Sequence, residues 1–193
     1  MDIRHLDRRA LETIDKIIAD AHPNDLDRPT PCAAWNLRDL LRHQISENTA
    51  FSIALREGAA ADWESGARST DVFRDYAESV TAVLGAIDAE GTLERPVSIH
   101  EFGPFPGRIA VSMHLVDSVV HGWDIAKTLG VPYQPDPDAV HEALLFAEKI
   151  PADPETRGPD ASFDLVVPVG ADASELERLL GLVGRSPGWA PPR

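Results

Sequence analysis

The residues of this chain best suited to chemistry lie in the stretch HLVDSVVHGWD, residues 114–124. Asp117 and His121 are four positions apart in a segment with helical periodicity, so their side chains leave one helix face with Cβ atoms about 6 Å apart. A carboxylate and an imidazole held in this way can bind one metal ion. His114 lies three positions before Asp117, on nearly the same stripe. This face is the first candidate for a metal site.

A third candidate ligand comes from an earlier amphipathic segment. His43 stands there among leucines, and Glu47 follows one helical turn later. Helical bundles build metal sites from inward-facing histidines and carboxylates on facing helices. Three ligands, His43, Asp117 and His121, would leave a coordination position open, which is typical of catalytic rather than structural sites.

Each of these residues also has a simpler interpretation. An Asp/His pair at this spacing is often a surface hydrogen bond, and a histidine among leucines is often a core residue with satisfied hydrogen bonds. Apolar neighbours nevertheless place at least one of Asp117 and His121 inward, where a charge needs a partner or a metal. Trp123 is either a core residue or the wall of a site, and Asp124 either orients a ligand or faces water.

The single cysteine, Cys32, lies four residues before the start of a predicted helix. A helix N-terminus can lower the pKa of a thiol, but a lone buried thiol is the simpler interpretation. One cysteine allows no internal disulfide, and this favours a reducing compartment. The remaining histidines stand in polar or loop contexts and are predicted to lie at the surface: His5, His22, His100 and His141.

Charge and hydropathy exclude several classes of function. The 193 residues include 32 acidic and 18 basic ones, giving a formal net charge of -14. Such a chain repels phosphate backbones, so we expect no nucleic-acid partner. No apolar run approaches the roughly 18 residues of a membrane span, and the N-terminal segment lacks a signal-peptide core. We therefore expect a cytoplasmic protein that acts on a small molecule.

The elements that must position these side chains are amphipathic helices. Apolar residues recur at helical spacing in several long segments, and Pro and Gly separate them. The pattern predicts a mainly α fold with a helical domain over residues 1–150 and an extension over 151–193. The predicted helices cover about 2–21, 36–58, 70–89, 108–129, 136–150 and 174–184, with a loop or hairpin over 92–107 and a short strand over 163–169.

Two motifs resemble a known family. TPCAAWNLRDLLRHQISENTAF, residues 30–51, and LVDSVVHGWDIAKTLG, residues 115–130, are similar to the metal-ligand helices of the mycothiol-dependent maleylpyruvate isomerase metal-binding domain. That domain belongs to the DinB-like superfamily, which also contains bacillithiol-dependent transferases. The tail LLGLVGRSPGW, residues 179–189, extends the resemblance to uncharacterised single-domain members from actinobacteria.

The resemblance implies a DinB-like four-helix bundle with a short α/β C-terminal extension. It also implies that His43, Asp117 and His121 are the metal ligands, with Asp117 in place of the family's glutamate. Zn²⁺ is the first choice for such a set, and Fe²⁺, Ni²⁺ and Mn²⁺ also suit it. Mycothiol is the implied thiol. The isomerase has a second domain that contributes to its active site, whereas here only about 60 residues follow the bundle.

Three functions remain open at this point. The first is a thiol-dependent transferase or isomerase, with Glu47 or His114 as acid or base and Trp123 against the cofactor. The second is a hydrolase that uses a metal-activated water. The third is a non-catalytic bundle that binds a metal or small molecule, or keeps only the shape of such a site. Bundles of this kind often pair, so we also expect a homodimer.

Overall fold

A computed structural model describes residues 2–100, 102–158 and 161–191. This part of the chain contains six α-helices and one two-stranded hairpin, which confirms the mainly α fold. The elements are α1 (Ile3–Ile18), α2 (Leu37–Glu57), α3 (Val72–Ile87), β1 (Pro96–Ile99), β2 (Phe102–Pro106), α4 (Gly107–Leu129), α5 (Pro137–Ala147) and α6 (Glu175–Leu182).

Several helices begin at residues whose side chains can cap a helix and end at glycines. Asn36 accepts a hydrogen bond from the backbone of Asp39 at 3.0 Å, and Asp39 accepts one from the backbone of Asn36, a reciprocal cap that starts α2. Asp136 caps α5 by accepting hydrogen bonds from the backbone amides of Asp138 and Ala139. Gly58 and Gly130, with φ of 97° and 73°, end α2 and α4 in the left-handed conformation that glycine adopts at low cost.

The first four helices form a closed bundle. α1 packs on α4, α4 on α2, α2 on α3, and α3 on α1. A core cluster of buried apolar side chains fills the space between them, including Leu11, Leu41, Tyr76 and Ile125. This packing brings one face of α2 against one face of α4, the two helices that carry the candidate ligands.

A second apolar cluster joins the C-terminal helices to the bundle. α5 packs on α4, and α6 packs on α5. Leu6 of α1, Trp123 of α4 and Leu179 of α6 lie in the same cluster, which we call the extension cluster. The buried Arg157 donates hydrogen bonds to the backbone oxygens of Pro151 and Leu182 at 2.8 and 2.6 Å. These contacts tie the end of the chain to α4.

The β1–β2 hairpin follows α3 and precedes α4 along the chain, and it packs on α2 and α4. Its strands are antiparallel, with Val97 opposite Phe105. The backbone amide of Ser98 donates to the oxygen of Gly58 at 2.8 Å, which joins the hairpin to the end of α2. His100, beside the hairpin turn, has a φ of 49°, in the left-handed region that few residues other than glycine adopt.

The prediction of a strand over residues 163–169 was wrong. The segment runs beside α6, and the amide of Val167 donates to the oxygen of Gly181 at 2.9 Å. It pairs with no strand among the described residues, and Leu165 and Val166 are exposed. Alternating apolar residues favour a strand only where a neighbouring strand can take up the backbone hydrogen bonds, and here a helix lies alongside.

No helix within the described ranges is long and apolar enough to cross a membrane.

Candidate metal centre

α2 and α4 bring the three predicted ligands together in the structure. The Nε2 atom of His43 lies 3.3 Å from Oδ1 of Asp117, and the Nε2 atom of His121 lies 3.3 Å from the same oxygen. One donor atom from each residue falls within 4.8 Å of the others. All three side chains are mostly buried, with exposures of 25%, 20% and 8% in chain order.

The spacing of these atoms is compatible with a metal ion as well as with an ion pair. A charge-assisted hydrogen bond between nitrogen and a carboxylate is usually about 2.7–2.9 Å long, shorter than either contact. Zinc binds nitrogen and oxygen at about 2.0–2.1 Å, and a tetrahedron of that size has edges of about 3.3 Å. The donor set of His43, Asp117 and His121 therefore fits a divalent cation.

Neighbouring side chains hold the remaining polar atoms of two ligands. Nδ1 of His121 lies 2.9 Å from Oδ2 of the buried Asp124, so the proton of a neutral imidazole sits on Nδ1 and the Nε2 lone pair faces Asp117. Arg185 donates from Nε to both oxygens of Asp124 at 3.2 Å. Gln44 donates to Oδ2 of Asp117 at 2.5 Å, which leaves Oδ1 for the two imidazoles.

The electrostatics of the centre favour positive charge. Burial acts to lower the pKa of His121, but the carboxylates of Asp117 and Asp124 outweigh it and raise the pKa to about 9. Burial acts to raise the pKa of Asp117, but the imidazoles of His121 and His43 hold it well below its usual range. A proton here takes the place that a metal cation would fill, so the two compete.

The aromatic residue against the ligands is Trp35. Its ring centroid lies 4.7 Å from that of His43 and 6.0 Å from that of His121. The hydroxyl of Thr30 donates to the backbone oxygen of Trp35 at 2.9 Å and so holds the loop before α2. Trp123, predicted to line the cofactor site, packs instead in the extension cluster.

Glu47 lies at the edge of the centre. Its side chain is 10% exposed, and Oε1 is 4.0 Å from Nδ1 of His43. The same oxygen is 3.6 Å from Nε2 of His100, which the sequence placed at the surface and which is 38% exposed. The structure thus brings Glu47, one of the two predicted acid–base residues, next to a candidate ligand.

His114, the other predicted acid–base residue, is enclosed in the bundle. Its Nδ1 and Nε2 lie 2.7 and 2.9 Å from carboxylate and amide oxygens of Asp7 and Asn48. Asn48 donates its own NH₂ to Ser79, which turns its oxygen toward the imidazole. Burial acts to lower the pKa of His114, but Asp7 outweighs it and raises the pKa. Both ring nitrogens are therefore donors, and neither faces the three ligands.

Cys32 is half-buried in the loop before α2. Burial raises the pKa of its thiol, although the charge of Arg185 acts in the opposite direction. A raised pKa favours the simpler of the two interpretations, a thiol that stays protonated.

Sequence reasoning missed several residues of the centre. Gln44 follows His43 directly and could have been found as a polar residue beside a ligand on α2. Arg185 is 61 residues from its partner Asp124, and nothing in the local sequence connects them. His100 reaches Glu47 only because the hairpin folds back on α2.

Comparison with known proteins finds one family and two relatives that are similar to this chain. Residues 8–126, which include all three candidate ligands, match the family described as Mycothiol maleylpyruvate isomerase N-terminal domain. Two Mycobacterium tuberculosis proteins are similar to the chain: Uncharacterized protein MT0763 of strain CDC 1551 / Oshkosh and Uncharacterized protein Rv0738 of strain ATCC 25618 / H37Rv. Each is 24% identical over 186 residues, which cover 96% of this chain and 99% of the relative. No solved structure matches.

Proposed function

Because this chain belongs to the mycothiol maleylpyruvate isomerase N-terminal domain family, we propose that it is a metal-dependent enzyme that uses a low-molecular-weight thiol. The thiol would be mycothiol or a close relative, and the reaction a transfer to, or isomerisation of, a small electrophilic substrate. The observation that carries the proposal is the convergence of two imidazole nitrogens on one oxygen of Asp117 at 3.3 Å each.

His43, Asp117 and His121 would hold the cation. Zn²⁺ suits two imidazoles and a carboxylate best, and Fe²⁺, Ni²⁺ or Mn²⁺ would also bind such a set. A bound divalent ion lowers the pKa of a coordinating thiol, so that the thiol is present as the nucleophilic thiolate at neutral pH. A set of three protein ligands leaves room for that sulfur.

The other residues of the centre would orient and protect the reacting groups. Asp124, fixed by Arg185, keeps the Nε2 lone pair of His121 directed at the cation. Gln44 fixes the carboxylate of Asp117. The indole of Trp35 covers the imidazole of His43 and excludes water from one side.

Glu47 is the residue we propose as acid and base. In an addition–elimination isomerisation, sulfur forms a bond to one carbon of an activated double bond, and the π electrons move to the carbonyl that activates it. Rotation about the new single bond, followed by loss of the thiolate, restores the double bond with the other geometry. In a conjugation, Glu47 would accept the proton that the thiol loses and pass it to the neighbouring carbon, so that the thiol adds across the double bond.

The proposal includes the division of the chain and its location in the cell. The helical domain over 1–150 would carry the ligands, and the extension over 151–193 would supply Arg185. The cytoplasm, where thiols stay reduced, is the compartment that suits such a reaction and a chain with one cysteine.

The test is consumption of thiol. Metal-loaded protein is incubated with mycothiol and a panel of electrophiles, and free thiol and substrate isomers are followed over time. We expect turnover that needs both metal and thiol and that disappears in His121→Ala. Turnover without thiol would instead identify a hydrolase. No turnover above the metal-free control, with metal bound, would identify a non-catalytic binding bundle.

A further inference from the structure

Each of the two candidate histidine ligands has a carboxylate beside its Nδ1 atom, but the two distances differ. His121 contacts a carboxylate, Asp124, at 2.9 Å, and a cationic side chain, Arg185, holds that carboxylate from behind. His43 also has a carboxylate beside its Nδ1 atom, that of Glu47, but at 4.0 Å. Metal-binding histidines generally need such an acceptor to fix the tautomer and the ring orientation.

Glu47 has a second imidazole beside its carboxylate, that of His100. Nε2 of His100 lies 3.6 Å from Oε1 of Glu47, the same oxygen that faces His43. Because Glu47 is mostly buried, its carboxylate needs donors to replace the water it has lost. His43 and His100 approach it from α2 and from the hairpin, respectively.

The hairpin holds His100 in place through its backbone and its ring. The left-handed φ of 49° turns the residue at the end of β1. Its imidazole stacks on the indole of Trp63, with ring centroids 3.9 Å apart. Trp63 in turn packs edge-on against Phe51 of α2 at 5.4 Å.

We propose that His100 is a positioning residue of the metal centre, which acts through Glu47 on the ring of His43. It would hold the Glu47 carboxylate as Arg185 holds that of Asp124. The hairpin would thereby contribute to a site whose ligands all come from α2 and α4. This inference rests on the metal centre proposed above, but not on any particular reaction.

The test is a double-mutant cycle on Co²⁺ affinity, measured by competition with a chelator and by the visible absorption bands of the bound ion. The variants are His100→Asn, Glu47→Gln and the two together. Asparagine tolerates a positive φ, so the hairpin backbone is retained. The matched control is His141→Asn, which removes an exposed histidine of α5 that pairs with Glu175 of α6 at 3.0 Å.

We expect His100→Asn and Glu47→Gln each to weaken Co²⁺ binding by about 10-fold and to alter the absorption bands. In the Glu47→Gln background, His100→Asn should have almost no further effect, because both changes break the same chain of contacts. His141→Asn should bind as the unmodified protein does. Thermal unfolding midpoints check that each variant is folded, and His100→Gln replaces His100→Asn if the latter is not.

Unchanged Co²⁺ affinity in folded His100→Asn would overturn the inference and leave the metal centre standing. Equal losses in both backgrounds would also overturn it, since His100 would then act independently of Glu47. If the unmodified protein binds no Co²⁺, the proposed function fails together with the inference.

Discussion

Two clusters of the bundle contain the same residue types but arrange them differently: one is the candidate metal centre, and the other is a buried hydrogen-bonded layer. His43, Asp117 and His121 leave three donor atoms directed at one point, between side chains that are partly exposed. His114, two helical turns before His121 on α4, has both ring nitrogens occupied by Asp7 and Asn48 and is fully buried. What distinguishes the candidate metal centre from the layer around His114 is therefore the convergence of its three donor atoms, not the presence of histidine and aspartate.

The layer around His114 connects all four helices of the bundle. Asp7 of α1 is hydrogen-bonded to His114 of α4, His114 to Asn48 of α2, and Asn48 to Ser79 of α3. Buried polar networks of this kind can fix the register between helices, because a slipped arrangement leaves their atoms without partners. In this bundle, the register decides whether His43 meets Asp117.

The largest expected effect is on stability, from His114→Ala. The substitution leaves the Asp7 carboxylate buried without its partner, and breaking a buried pair in this way costs about 3–5 kcal/mol of the free energy of unfolding. Denaturant unfolding measures it. Folded protein should still bind one equivalent of metal. A loss of metal with little change in stability would reverse the roles we assign to the two clusters.

The next effect is on metal affinity, from Asp124→Asn. Asparagine retains the shape but can no longer act as a charged acceptor for Nδ1 of His121, so Zn²⁺ affinity should fall by about 10- to 100-fold. Competition with a chromophoric chelator measures the change. Asp136→Asn, at the cap of α5, is the matched control and should bind Zn²⁺ normally. Equal affinities for both variants would contradict the assignment of Asp124.

The smallest effect is the pH dependence of stability. The pKa of His114 is raised in the folded protein, so protonation stabilises the fold. This contribution is fully present below the unfolded pKa of about 6.5 and is lost as pH rises through the folded value. The gap in unfolding free energy between unmodified protein and His114→Gln should therefore be larger at pH 6 than at pH 9. A gap that widens with pH would mean that His114 is neutral.

The helix faces that carry the ligands could be predicted, because a 3.6-residue period fixes which side chains share a face. The period could not separate His114 from His121, since both lie on nearly the same stripe of α4. The facing residues do so: Asp7 of α1 and Asn48 of α2 occupy both ring nitrogens of His114. His121 instead faces His43 of α2.

Contacts between segments that are distant in sequence account for the other differences between the predicted and the observed site. The sequence favours Trp123 as a wall of the site, but the packing of α5 and α6 places it in the extension cluster, and Trp35 is the indole that lies against the ligands. Arg185 and His100 reach the centre through a chain end and a hairpin, and no local pattern records either approach.

The most direct test of the central claim is the metal content of protein purified without chelator or affinity-tag metal. The unmodified protein is measured beside the double variant His43→Ala/His121→Ala and beside His22→Ala/His141→Ala, which removes two surface histidines. We predict close to one equivalent of metal in the first and third proteins and none in the second. Absence of metal from the unmodified protein, with no binding when Zn²⁺, Fe²⁺ or Ni²⁺ is added, would contradict the claim that these residues form a metal centre.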